Sequence, residues 1–124
     1  MGDNASILIV EDDRVNREAM ARLARHAGFD VDTASTLAEA REKLPASGCM
    51  LLDLVLPDGR GLDLLKQIRL ENRPVHVAIV SGSMGAGDIQ PFATLRPDAV
   101  FVKPVKPDDV LHWLGRHCSA KASR

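Results

Sequence analysis

"CMLLDLVLPDGRG", residues 49–61, decides how the rest of the chain is read. Its apolar opening has the length and character of a buried strand, Asp53 stands where that run is about to end, and the Pro-Asp-Gly that follows signals a turn. A buried, unpaired carboxylate is costly. Asp53 is therefore paired, exposed at a strand end, or present for chemistry.

Outward from this segment lie four more apolar stretches of strand length, at residues 7–10, 31–34, 76–80 and 99–102. Most are continuous rather than alternating, the pattern of parallel strands covered on both faces. Helical signals fall between them. Val15, Ala19, Met20, Leu23 and Ala27 recur at three- and four-residue spacing over 14–27, with Gly28 as a stop. Thr36 and Glu39 have capping-box spacing, and Leu37, Ala40 and Leu44 form the stripe of a short second helix ending before Pro45. Leu62, Leu65 and Ile68 give a third helix ending near Asn72 and Pro74. Asp88 caps at most two turns of a fourth before Pro97, in a segment interrupted by Gly85, Gly87 and Pro91. Val110, Leu111 and Leu114 mark a last helix after Pro107.

Five strands alternating with helices predict an α/β fold: a doubly wound, five-stranded parallel sheet with right-handed crossovers and helices on both faces. A chain of 124 residues fits one domain, placed at 7–118, with an N-terminal extension at 1–6 and a flexible tail or start of a linker at 119–124. A hydrophobic share of 45% and a net charge of −1 fit a soluble protein without the basic excess that direct nucleic-acid binding requires. No apolar run reaches the length of a membrane span or signal peptide, and Cys49 and Cys118 read as reduced thiols, which together point to the cytoplasm. "MGDNAS" and "NAS" match acylation and glycosylation templates that imply incompatible compartments, and both are accidental.

In sheets of this kind ligands bind beyond the carboxyl ends of the strands. Glu11, Asp12 and Asp13 follow the first strand, Asp53 ends the third, Ser81 follows the fourth, and Lys103 with Pro104 follows the fifth. Each alone has a structural explanation as a cap, a turn or a solvated charge. Together they define a site. Clustered carboxylates need a cation, and oxygen ligands without paired His or Cys favour Mg2+ over zinc. With Mg2+ and a phosphoryl group present, Asp53 is a carboxylate nucleophile, Lys103 neutralises phosphoryl charge, and Ser81 donates a hydrogen bond.

The fragments "ILIVEDD", "LLDLVLPDGRG", "IVSGS" and "FVKP", in this order and at these intervals, resemble the receiver domain of bacterial two-component response regulators over nearly the whole chain. The resemblance implies the flavodoxin-like receiver fold with strand order 2-1-3-4-5. It makes Asp53 the phosphoacceptor and gives Mg2+ to Asp12 directly, to Glu11 through water, to Asp53 and to the backbone carbonyl of Val55. Ser81 takes the place of the switch hydroxyl and Lys103 that of the family's lysine, while Asp13 is left to cap the first helix. The implied partners are a sensor histidine kinase or histidine phosphotransfer protein and an output domain or target. A homodimer through the fourth helix, fifth strand and last helix is a further expectation, as is ordering of residues 82–87 when Ser81 is drawn inward.

Two positions depart from the family pattern. Val100 stands three residues before Lys103, where Tyr or Phe is common, and Gly82 follows Ser81, where Ala is usual. Phe101 is adjacent but points to the opposite face of the strand. A Mg2+-dependent phosphohydrolase is disfavoured, because the position of its general acid, two residues after the nucleophile, is Val55, and the chain has no spare length for a substrate cap. A degenerate receiver acting only as a binding module is disfavoured by the presence of all five side chains the chemistry needs.

Overall fold

A computed structural model of the chain describes residues 6–45, 48–82 and 95–118. Seven strands and four helices follow one another along these segments. They are β1 (Ser6–Val10), α1 (Arg14–His26), β2 (Asp30–Ala34), α2 (Leu37–Glu42), β3 (Gly48–Asp53), β4 (Val55–Leu56), β5 (Gly59–Arg60), α3 (Gly61–Leu70), β6 (Val75–Ser81), β7 (Ala99–Val102) and α4 (Pro107–His117). Five strands form one parallel sheet in the order β2-β1-β3-β6-β7, which is the predicted 2-1-3-4-5 once β4 and β5 are set aside. The expected extension is one residue shorter, since Ser6 already belongs to β1; residues 1–5, the tail, residues 83–87 and all but the last two residues of the expected fourth helix lie outside the described residues.

The continuous apolar strands have a simple cause: successive side chains point to opposite faces, and both faces are covered. Leu8, Val10, Met50 and Leu52 pack with Leu37 and Ala40 of α2 and Leu64, Leu65 and Ile68 of α3. Ile7, Ile9, Cys49 and Leu51 pack on the other side with Ala21 and Ala24 of α1 and with Val110, Trp113 and Leu114 of α4. The edge strands β2 and β7 bury their residues less completely than β1 and β3. Phe101 faces the second core, edge-on to Trp113 with ring centroids 6.4 Å apart, so Trp113 belongs to the core.

Local chemistry ends the elements where the residues predict, with two differences. Asp13 caps α1 by accepting the Asn16 N–H at 2.9 Å, and Gly28 leaves the helix at φ +102°. Thr36 Oγ1 accepts the Glu39 N–H at 3.0 Å, but Glu39 reaches back to the Ser35 N–H at 2.8 Å rather than to the cap itself. The helix then stops at Glu42, and Leu44 packs against the core from beyond its end. The second difference follows Asp53: instead of an irregular turn, residues 55–60 fold into an antiparallel hairpin pairing Val55 with Arg60 and Leu56 with Gly59.

Candidate functional site

Parallel strands with a shared direction bring Glu11, Asp12, Asp53, Ser81 and Lys103 to one edge of the sheet. Asp53 is the last residue of β3 and Ser81 the last of β6, while Glu11 and Lys103 immediately follow β1 and β7. Glu11, Asp53 and Ser81 are the buried polar side chains among the described residues. Pairing resolves the cost of the Asp53 charge: Lys103 Nζ lies 3.2 Å from Asp53 Oδ2 and 2.9 Å from Glu11 Oε1, and the Val55 N–H donates to Asp53 Oδ1 at 3.2 Å. The backbone N–H of Lys103 donates to the Ser81 carbonyl at 2.7 Å, which fixes the lysine against β6. The Lys103–Pro104 peptide is cis.

One lysine does not balance three acids. Glu11, Asp12 and Asp53 each offer a carboxylate oxygen, and these oxygens lie within 4.8 Å of one another. Burial first, and the neighbouring Asp53 in addition, push the Glu11 carboxyl above its ordinary range, against the pull of Lys103 and the Asp13 N–H. Burial works to lower the Lys103 pKa, but its hydrogen bonds to Glu11 and Asp53 outweigh this and raise it. Such a surplus of hard oxygen donors suits a divalent cation such as Mg2+, which takes carboxylates and keeps several waters. The residues present therefore fit the ion that the sequence implies.

Asp12, Asp53, Val55, Arg60, Ser81 and Lys103 help to line a recess of about 420 Å³. It is large enough for a phosphoryl group and its waters. Val55 is 75% exposed at its rim, and Val15, at the start of α1, is equally exposed. Val100 lies on the strand face opposite Phe101, so the aromatic ring next in sequence does not take its place.

Three contributors escaped the sequence reading. Arg17 Nη1 donates to the carbonyls of Glu11 at 2.9 Å and Asp12 at 3.2 Å, bracing the acidic loop, and Arg60 lines the recess from β5. Asp58, read as part of a turn, binds the start of α2. No spacing rule announces these contacts. Those of Arg17 depend on how the loop after β1 folds back, and that of Asp58 spans two crossing segments.

The response regulator receiver domain model matches residues 7–114 of the chain. A probable transcriptional regulatory protein, TcrX of Mycobacterium tuberculosis, is 30% identical over 114 residues, covering 89% of this chain and 48% of the relative. The response regulator TodT of Pseudomonas putida is 31% identical over 118 residues, covering 90% of this chain and 50% of TodT. A response regulator receiver protein from Pseudomonas putida superposes with a TM-score of 0.85 at 27% identity, over 94% of this chain and all of the other. A CheY-like receiver domain protein from Methanospirillum hungatei gives 0.84 at 26% identity, over 91% and 92%. A parallel sheet in this strand order with an acidic cluster at its carboxyl edge defines a signalling receiver. The chain belongs to the response regulator receiver domain family. It spans about half the length of the TcrX and TodT relatives.

Proposed function

We propose that the domain is the phosphoacceptor switch of a two-component relay, taking a phosphoryl group onto Asp53 from a sensor histidine kinase or a histidine phosphotransfer protein. The observation that carries this reading is the placing of the Asp53 carboxylate, buried at a strand end between Lys103 and the Val55 N–H and beside two further acids. Mg2+, when bound, screens the negative charge of donor and acceptor so that an anionic carboxylate can approach an anionic phosphoryl group. Glu11, Asp12, Asp53 and the Val55 carbonyl are the residues to hold it.

This chain's side chains do the rest. An Asp53 carboxylate oxygen attacks phosphorus, the bond to the donor nitrogen breaks, and the leaving imidazole keeps the electron pair and takes a proton from solvent. Lys103 neutralises charge on the transferring oxygens, and the Ser81 hydroxyl donates to one of them. Moving Lys103 and Ser81 toward the new phosphoryl group alters contacts with β6 and β7, which biases the domain between two states.

Val55, exposed at the rim of the recess, and Val15, exposed at the start of α1, support docking of a protein donor on this side. Output passes through the side of the fold that carries β7 and α4, and Val100 and Val102 of β7 are exposed. That face reaches an output domain, a target protein or a second copy of the chain. Regulation of transcription is named for TcrX, of which this chain covers 48%. Among the described residues no helix is long and apolar enough to cross a membrane, which accords with a cytoplasmic role.

Beryllofluoride, a stable mimic of the phosphoryl group, tests this assignment by amide NMR. Addition in the presence of Mg2+ shifts Asp53, Ser81 and Lys103 together, and leaves Asp53→Asn unchanged. Absence of these shifts in the wild type supports the binding-module reading.

A further inference from the structure

The hairpin after Asp53 is clamped at both ends. At its tip, Asp58 Oδ1 accepts the Leu37 N–H at 2.8 Å and Oδ2 accepts the Ala38 N–H at 3.0 Å, the first two amides of α2. Thr36 already accepts from the third, so Asp58, from across the fold, supplies acceptors for the two N-terminal donors of α2 that its own cap leaves unpaired. The chain packs closely beside this contact: a Cβ on Gly59 would lie 2.6 Å from Leu37 Cδ1. At the base, the Gly61 N–H donates to the Leu54 carbonyl at 2.8 Å, and a Cβ on Gly61 would be driven into the Asp53 carbonyl.

Between the clamps sits Val55, whose N–H holds Asp53 Oδ1. Its side chain is 75% exposed and gives little packing, so the hairpin must fix its two peptide groups. Leu56, buried at the tip side of Val55, and Asp58 are the parts of the hairpin anchored toward α2. We infer that Asp58 is a positioning residue of the phosphoacceptor site, holding Val55 so that its N–H orients the Asp53 carboxylate and its carbonyl meets the cation. The second half of this rests on the proposed cation site. The anchor works in its ionised form, since both carboxylate oxygens accept, and the Leu37 and Ala38 N–H groups hold Asp58 below its ordinary range.

The test compares wild type, Asp58→Ala and Asp58→Asn by amide hydrogen exchange without metal, and by titration with Mn2+ followed by the EPR signal of the free ion. In Asp58→Ala the Val55 amide loses protection together with Leu37 and Ala38, and Mn2+ binding weakens about tenfold, the scale of loss when a residue supporting a metal ligand is removed. Asp58→Asn keeps one acceptor oxygen and falls between the two, and it decides the question alone if the alanine variant does not fold. Wild-type protection at Val55 with faster exchange only at Leu37 and Ala38 overturns the inference and leaves Asp58 as a helix cap. Failure of the wild type to bind Mn2+ removes the cation site instead, while the exchange of Val55 still decides the role of Asp58.

Discussion

Asp53 stays buried at 6% exposure because each of its oxygens has a donor, Lys103 on one and the Val55 N–H on the other. Glu11 also has a donor on each oxygen, Lys103 and the Asp13 N–H, but burial outweighs them, and its raised pKa has a measurable consequence for stability. A carboxyl whose pKa is higher in the folded chain binds its proton more tightly there, so ionisation costs the fold stability. That cost begins near the ordinary value of 4.5, grows as pH climbs through the raised one, and is constant above it. Without divalent cations, wild type therefore loses stability relative to Glu11→Gln across this window, by about 1.4 kcal/mol per pKa unit of elevation. Urea titrations of both proteins through the window measure it, and a gap independent of pH contradicts it. On the proposed function, Val55 bears on a different property: its apolar side chain at the rim of the recess would give water no hydrogen bond beside an aspartyl phosphate, whereas an amide would. Val55→Asn is expected to shorten the phosphate's lifetime several-fold, and an unaltered rate of autodephosphorylation argues against the role.

Among the elements, α4 carries a weakness that function does not require. Gly115 lies in its interior half-turn before the C-cap, and a Cβ there meets no atom within 4 Å. Gly115→Ala is expected to stabilise the domain by about 0.5–1 kcal/mol, read as a higher urea midpoint, because alanine loses less backbone entropy on entering a helix. An unchanged or lower midpoint contradicts the account of this helix. The same scale shows what the residues alone disclose. The strands are legible because two-sided burial writes continuous apolar runs such as residues 49–52, and the site is legible because chemistry stands at their ends. The hairpin is not, since Val55, Leu56, Gly59 and Arg60 pair over too short a distance to leave a period. Nor is the contact of Asp58 with Leu37 and Ala38, which depends on how α2 and the hairpin meet in space. Phe101 is the intermediate case: strand parity places it opposite Val100, and only packing shows that Trp113 receives it.

For the molecule as a whole, the topology is what makes the chemistry possible. Residues 11, 53, 81 and 103 stand at the carboxyl ends of four strands, and the adjacent parallel positions of those strands bring them to one edge. The two cores fix the strands from both sides, so the site stands on the rigid part of the fold, while its rim is formed by the hairpin and the loop after β1. On the proposed function, the acceptor is built entirely by this chain, and a donor or output partner adds nothing to it. On the same reading, a small-molecule donor is expected to suffice for the reaction. Labelling with acetyl phosphate and Mg2+, followed by intact mass spectrometry, tests this directly. Wild type gains one phosphoryl group, labile to base and to hydroxylamine, that Asp53→Asn does not acquire, and equal labelling of the two proteins contradicts the assignment of Asp53 as the phosphoacceptor.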